Sequence, residues 1–389
     1  MKKISSKSKK LLSGLSTART GILTNQSAFG WDKTYHFQKL KDYLELRVIF
    51  LPEHGLFAEL QDQVSGDSLK YFFDSITIEN LYGKDENSLF IREETLKNLD
   101  LIVIDIRDIG SRYYTFLTSA YYILQKISNY NKTSSNKIQI LVVDSPNPIG
   151  RKIEGSPLQE KYESFVGVKK IVHRHGLSTA ELMNYHNIEN NFNLNIFVIP
   201  IGEIYPQKDS EDFWIPPSPN IPKISTCTVY TGQCLLEGTN LSEGRGTTRP
   251  FEIFGAPFID INNQSYWNEL IRYQKDFFYL RPLLFIPTFH KHRDKVCGGF
   301  QIFVQNKNKF HSLLFSLQFL KVTNDFFKEN FQYLQGVYEF RSDKSAIELL
   351  VGDDFLLGFL NGVNTYKMTE DYLKNEEFEW KKKIKIFKT

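Results

Sequence analysis

Short apolar runs alternate with amphipathic stretches through the first half of the chain. Residues 47–51, 99–106, 138–143 and 195–200 are nearly unbroken runs rich in Val, Ile and Leu, and residues 21–26 make a shorter run ending in polar groups. Runs of this length and composition read as strands, and the continuous ones as strands buried on both faces. Between them, the spacing of Phe37, Leu40, Tyr43 and Leu44 and the pattern over residues 116–128 predict helices. Ser178, with Glu181 three positions on, reads as a capping box that opens a helix toward Tyr185. Buried strands alternating with helices predict an α/β fold, a doubly wound parallel sheet with right-handed crossovers. Ligands of such sheets sit beyond the carboxyl ends of the strands.

After Asp260 the pattern changes. A helix over residues 266–275, aromatic-rich strand-like runs such as 299–304 and a helix over 311–330 predict a second, smaller α+β domain. The division falls between a catalytic domain of residues 1–262 and an auxiliary domain of residues 263–389. The proline-dense segment from Trp214 to Pro222 is extended and prestiffened, with a domain linker as its plainest role. The basic stretch at 380–385 reads as a solvated tail.

Composition narrows the classes of function. With 389 residues, 41% hydrophobic and 14% aromatic, the chain can bury a large core and is too long for one. Lys+Arg 48 against Asp+Glu 45 leaves a net charge of +3, too balanced for a protein built around nucleic acid. Cys227, Cys234 and Cys297 show no CxxC spacing and read as reduced, mostly buried thiols. The basic N-terminus has no apolar segment behind it and no run long enough to span a membrane occurs, so a cytoplasmic location is expected unless a leader has been removed. Neither GxGxxG after the first strand nor GxxxxGK[ST] is present, so no nucleotide cofactor is expected.

The strand ends carry the candidate chemistry. Glu53 follows the 47–51 strand at the rim of an apolar core, a placement that suits a general acid; a carboxylate bonded to a helix N-terminus is the structural alternative. His54 beside it reads equally as an orienting partner or as a packed residue. Asp108 and Arg112 stand as an i,i+4 ion pair or as substrate ligands, and Asn147, between two prolines, as a directed amide or a turn former. Arg174, between His173 and His175, offers a guanidinium for a carboxylate; the two histidines lack a third ligand of matching context, so no metal is expected. Densest of all is the stretch 235–252, where Glu237, Glu243 and Glu252 mix with Asn240, Arg245 and Arg249 and are broken by Gly238, Gly244 and Gly246. It reads as the wall of a polar site, one its glycines let the backbone approach closely. Carboxylates for proton transfer beside arginines for an anion imply a sugar acid or a decorated glycan.

In chain order, Pro52-Glu53-His54-Gly55, the run from Asp105 to Tyr114, Asp144-Ser145-Pro146-Asn147-Pro148, Glu154-Gly155, Arg174-His175-Gly176, Pro217-Ser218-Pro219-Asn220 and the stretch from Glu237 to Glu252 resemble the bacterial exo-β-N-acetylmuramidases. The resemblance spans most of the chain and implies a Rossmann-like N-terminal domain, a smaller C-terminal one and an active site in their cleft. It implies hydrolysis of terminal N-acetylmuramic acid from the non-reducing end of peptidoglycan fragments, such as a muramyl-glucosamine disaccharide or a muropeptide. The family's catalytic glutamate corresponds to Glu53; its partner is Glu237, Glu243 or Glu154, or the substrate's own acetamido group. Substrate contacts are expected from His54, Asp108, Arg112, Asn147, Glu154, Arg174, His175, Asn220, Asn240, Arg245 and Arg249. Ser145 stands where arginine is common, removing one cation from the cleft, and Ala58 where glycine is usual. A catalytically silent muropeptide-binding module is the competing reading, and it would bind without turnover.

Overall fold

The computed structural model describes residues 5–30, 33–57, 76–204, 214–272 and 276–388; Ala58 and the end of the helix expected at 266–275 lie outside them. Among the described residues, β1 (Arg19–Thr24), β2 (Glu45–Leu51), β3 (Thr77–Asn80), β4 (Leu101–Asp105) and β5 (Gln139–Asp144) form a parallel sheet. β6 (Glu154–Pro157) and β7 (Val172–Arg174) form a separate antiparallel pair, and β8 (Ile196–Pro200) returns to the sheet beside β5. The order β3-β2-β1-β4-β5-β8 runs outward from β1 in both directions, so it reverses between β1 and β4. A crevice opens at such a reversal beyond the carboxyl ends of the strands.

The unbroken apolar runs arise because both faces of this sheet are covered. Phe50, Ile104 and Val142 enter one core cluster, and their neighbours Ile49, Val103 and Val143 enter the other. The helices of this part are α1 (Ser6–Gly14), α2 (His36–Leu40), α3 (Glu93–Lys97), α4 (Thr115–Thr133), α5 (Thr179–Glu189) and α6 (Ile201–Ile204). The capping box of α5 is present: Ser178 N donates to Glu181 Oε2 at 2.9 Å, and Glu181 N to Ser178 Oγ at 3.3 Å.

The remainder contains α7 (Ile224–Gln233), a 3-10 turn (Cys234–Gly238), β9 (Ile253–Ala256), α8 (Gln264–Ile271), β10 (Phe278–Phe285) and β11 (Cys297–Val304). α9 (Ser312–Phe326), α10 (Ala346–Val351), α11 (Asp354–Leu360) and α12 (Tyr366–Lys383) follow. An antiparallel sheet in the order β10-β11-β9 is its centre. Because β9 precedes residue 263 and pairs with β11 beyond it, this sheet draws on both sides of the expected division. One apolar cluster also runs from the parallel sheet into the C-terminal part, joining Ile104 and Val142 to Phe254, Leu317 and Trp380.

The structure differs from the expected arrangement at two segments. The proline-dense segment is no free linker: Asn25 Nδ2 donates to Pro217 O at 3.2 Å and Gln26 Nε2 to Pro216 O at 2.6 Å, which pins it across the end of β1. The basic stretch at 380–385 is no solvated tail, because its apolar residues share one face. Trp380 is buried and its indole donates to His175 O at 3.0 Å, and Ile384 and Phe387 are buried beside it.

Candidate active site

A cavity of about 340 Å³ opens at the carboxyl ends of β2 and β4 and is closed by the C-terminal part. Glu53, His54 and the Tyr113–Phe116 turn line it from the parallel layer; Ser218 and Asn220 come from the pinned proline segment. Tyr230, Glu237, Arg245, Phe251, His290, Lys291, Leu334, Tyr338 and Glu339 complete it.

β2 delivers Glu53, and the chain then reverses through His54 (φ 76°) and Gly55 (φ 79°). A left-handed histidine is uncommon, and such conformations collect at functional sites. Glu53 Oε2 accepts from Thr115 Oγ1 at 3.1 Å at the start of α4. Its Oε1 lies 4.0 Å from His54 Nε2, beyond hydrogen-bond reach. The glutamate is therefore held by one oxygen while the other is open to a ligand.

Glu237 is held by both oxygens. Arg245 Nη2 donates to Oε1 at 2.7 Å and Tyr338 Oη to Oε2 at 2.9 Å. Burial, and then Glu237 itself, push the Tyr338 hydroxyl far above its ordinary pKa, so it remains a donor. Behind this pair lies Glu243, fully buried, with Lys291 Nζ at 2.9 Å, Arg245 Nε at 3.1 Å and His290 Nδ1 at 3.3 Å. Burial raises its pKa, but Lys291, His290 and Arg245 outweigh that and hold the carboxyl well below its usual range. Glu243 does not line the cavity; it is the counter-ion of Arg245 and Lys291, which do, with the His290 ring beside them.

Of the expected site residues, the fold thus brings Glu53, His54, Asn220, Glu237 and Arg245 to one cavity. The others are occupied elsewhere. Arg174 Nη1 is 2.9 Å from Glu154 Oε1, and both are fully buried between β6, β7 and α9. Lys152 Nζ at 3.1 Å and His311 Nδ1 at 3.4 Å complete that cluster. Burial works against the Glu154 charge, but His311, Lys152 and Arg174 bring its pKa down to about 2. Asp108 and Arg112 do not pair with each other. Asp108 Oδ2 meets His175 Nε2 at 2.9 Å, while Arg112 Nη2 donates to Leu350 O at 2.7 Å and Val351 O at 2.9 Å, a cation capping the end of α10.

Asn147 serves its own turn, accepting from Ile149 N at 3.1 Å and donating to Leu177 O at 3.3 Å; Gly110 (φ 87°) packs so closely that a Cβ would meet Asn147 at 2.5 Å. Asn240 ties the 235–252 stretch to Asn330 O at 2.7 Å and Gln332 N at 3.0 Å, and the partly exposed Arg249 pairs with the buried Glu252 at 3.1 Å. The glycines of the stretch approach protein and not sugar: a Cβ on Gly238 would meet Ile347 N at 2.7 Å, and one on Gly244 would meet Ile253 O at 2.1 Å. Tyr338, His290 and Lys291 were not singled out from sequence. The run His290-Lys291-His292 is the one local signal for two of them; Tyr338 has none.

Comparison with known proteins agrees with this architecture. Residues 20–225 match the N-terminal domain, and residues 228–388 the C-terminal domain, of the exo-beta-N-acetylmuramidase NamZ family. The peptidoglycan beta-N-acetylmuramidase NamZ of Bacillus subtilis is 34% identical over 326 residues, covering 81% of this chain and 75% of that protein. Two crystal structures of DUF1343 family proteins from Bacteroides fragilis share the fold. One has a TM-score of 0.78 at 21% identity and the other 0.69 at 24%, each covering 98% of this chain and 96% of its own. With the two family domains matching residues 20–225 and 228–388 and a relative of this identity over most of its length, the chain belongs to the exo-beta-N-acetylmuramidase NamZ family.

Proposed function

We propose that the chain is an exo-acting glycoside hydrolase that releases N-acetylmuramic acid from the non-reducing end of peptidoglycan fragments, with Glu53 as general acid and Glu237 as its carboxylate partner. The observation that carries the reading is one polar cavity containing two glutamates held in different ways. Glu53, tethered by a single hydroxyl, has an oxygen with which to protonate the departing glycosidic oxygen. Glu237, accepting from Arg245 and Tyr338, is suited to face the positive charge that develops on the sugar ring. Attack on the anomeric carbon then falls to a water or to the substrate's acetamido oxygen, and either route is compatible with a fixed anion at Glu237. Arg245, with His290 beside it, supplies the cationic side of the cavity for the lactyl carboxylate that distinguishes muramic acid from glucosamine.

The test is release of free N-acetylmuramic acid from a muramyl-glucosamine disaccharide. Wild-type protein turns it over, and Glu53→Gln loses roughly 10² to 10⁴ in rate while staying folded. Binding of the disaccharide without turnover by the wild-type protein would instead identify a silent binding module. For the lactyl contact, Arg245→Ala lowers the preference for a muraminide over the matched glucosaminide by roughly 10- to 100-fold, the worth of a hydrogen bond to a charged group. Equal rates on the two substrates with wild-type enzyme would remove the lactyl assignment.

A further inference from the structure

Three consecutive residues grip one short segment beside the cavity. His290 Nδ1 lies 3.3 Å from Glu243 Oε1 and His292 Nε2 lies 2.5 Å from Asn240 O. Between them, Lys291 Nζ donates to Leu236 O at 2.8 Å, Thr239 O at 2.9 Å and Leu241 O at 2.9 Å. Its fourth neighbour is Glu243 Oε2 at 2.9 Å. The segment so held, residues 236–243, is the one that carries Glu237 into the cavity.

The backbone of this clasp is itself unusual. His290 (φ 66°), His292 (φ 57°) and Asp294 (φ 59°) all sit in the left-handed region that residues with a Cβ rarely adopt. Conformations of this kind persist where the surroundings over-determine them, and they collect at functional sites. Here His292 is held by the carbonyl of Asn240, His290 lies against the Glu243 carboxylate, and Asp294 N donates to Pro287 O.

An ammonium carries three protons, and four oxygens surround this one. Lys291 borders the cavity, but its protons are already committed to protein oxygens. Rings of backbone carbonyls hold bare potassium ions in the same manner. Without a cation at the centre, three carbonyl dipoles and Oε2 of a buried carboxylate would face one another, with Arg245 and His290 on the side of Oε1.

We propose that Lys291 is a positioning residue for Glu237: its ammonium is a tethered internal cation around which the 236–243 segment closes, holding the glutamate against Arg245 and Tyr338. The inference rests on Glu237 being the second carboxylate of the reaction. It also assigns Glu243 a role, as the anion that completes the cage.

Lys291→Ala leaves the cage without its cation and tests this directly. On the muramyl-glucosamine disaccharide, kcat falls about 100-fold with little change in KM, the scale expected of a catalytic group displaced by about 1 Å. Ammonium or potassium chloride restores much of that kcat and raises the variant's Tm, whereas sodium chloride at equal ionic strength does neither and the wild-type enzyme is indifferent to all three. A folded variant without a cation-specific response overturns the proposal. So does a loss confined to KM or to the preference for muraminide, which would make Lys291 a substrate contact. If the single variant does not fold, Lys291→Ala with Glu243→Gln removes the stranded carboxylate as well, and the same cation-dependent Tm shift is read on that protein. The Tm response is independent of turnover. Glu237→Gln with wild-type kcat would therefore overturn the role of Glu237, and with it the positioning function, while the cage would still be judged by its own measurement.

Discussion

Two fully buried glutamates in this protein are surrounded by the same three residue types. Glu154 has Arg174, Lys152 and His311 at 2.9, 3.1 and 3.4 Å; Glu243 has Arg245, Lys291 and His290 at 3.1, 2.9 and 3.3 Å. In both, the basic neighbours outweigh the cost of burial and hold the carboxyl well below its usual range. The difference lies in what the cations face on their other side. Those of Glu154 turn to protein: Arg174 to Ile149 O, Lys152 to Phe310 O and His311 to Glu377 at 2.7 Å, so the cluster braces β6 and β7 against α9 and α12. Those of Glu243 border the cavity. A buried ionic quartet is thus a brace or the back wall of a site according to its location, and its composition does not tell which.

The largest effect should come from the brace. Glu154→Gln removes the carboxylate from the fully buried Arg174, and breaking a buried pair from one side costs about 3–5 kcal/mol. Denaturant unfolding should show that loss, while kcat of the folded fraction is retained. A catalytic defect at unchanged stability would reverse the comparison. Next comes Glu243→Gln, which frees Arg245 and Lys291 from their anchor. The expected outcome is a kcat lower by about 100-fold in protein that remains folded. Wild-type turnover in that variant would make Glu243 a second brace.

The pH dependence of the brace has two arms. The folded-state pKa of Glu154 is depressed to about 2 from its ordinary 4.5, so its contribution is present above pH 4.5 and is lost as pH falls toward 2. For His311, burial lowers the pKa, but Glu377 and Glu154 more than compensate and raise it above 6.5. That contribution is complete below pH 6.5 and is lost as pH rises through the folded value. Unfolding free energies measured across pH should therefore show an acid arm that Glu154→Gln removes and an alkaline arm that His311→Gln removes. Retention of both arms in either variant would contradict the assignment. The smallest effect is expected at Arg249, which is partly exposed and whose buried partner Glu252 keeps the hydroxyls of Ser225 and Thr226. Arg249→Ala should cost less than about 1 kcal/mol and leave the muraminide preference unchanged.

The strand ends of the parallel sheet were legible because their cause is local. Apolar runs at 47–51 and 138–143 appear as β2 and β5, and the capping box starts α5 where Ser178 and Glu181 require it. Glu53 was legible for the same reason, since a charged residue directly after a doubly buried strand has few places to go except the crevice. The helix expected over 311–330 ends at Phe326, and the basic stretch at 380–385 overlaps the last turn of α12, where Trp380 is buried and Ile384 is buried just beyond it. Charge dominated that reading, whereas packing governs the segment.

Sequence by itself therefore determined the doubly covered sheet, the crevice side and the glutamate at its rim, because hydrophobic period, capping and chain reversal act over a few residues. Which of the other charges share that crevice was a matter for the assembled molecule. Glu237 meets Tyr338 from 101 positions away, and Lys291 reaches the carbonyl of Leu236 across 55. Arg174 and Arg245 look alike along the chain, yet one closes a seam with Glu154 and the other borders the cavity with Glu237. An ion pair forms wherever folding removes water from two opposite charges, and the path by which the chain brings them together leaves no periodic trace near either residue.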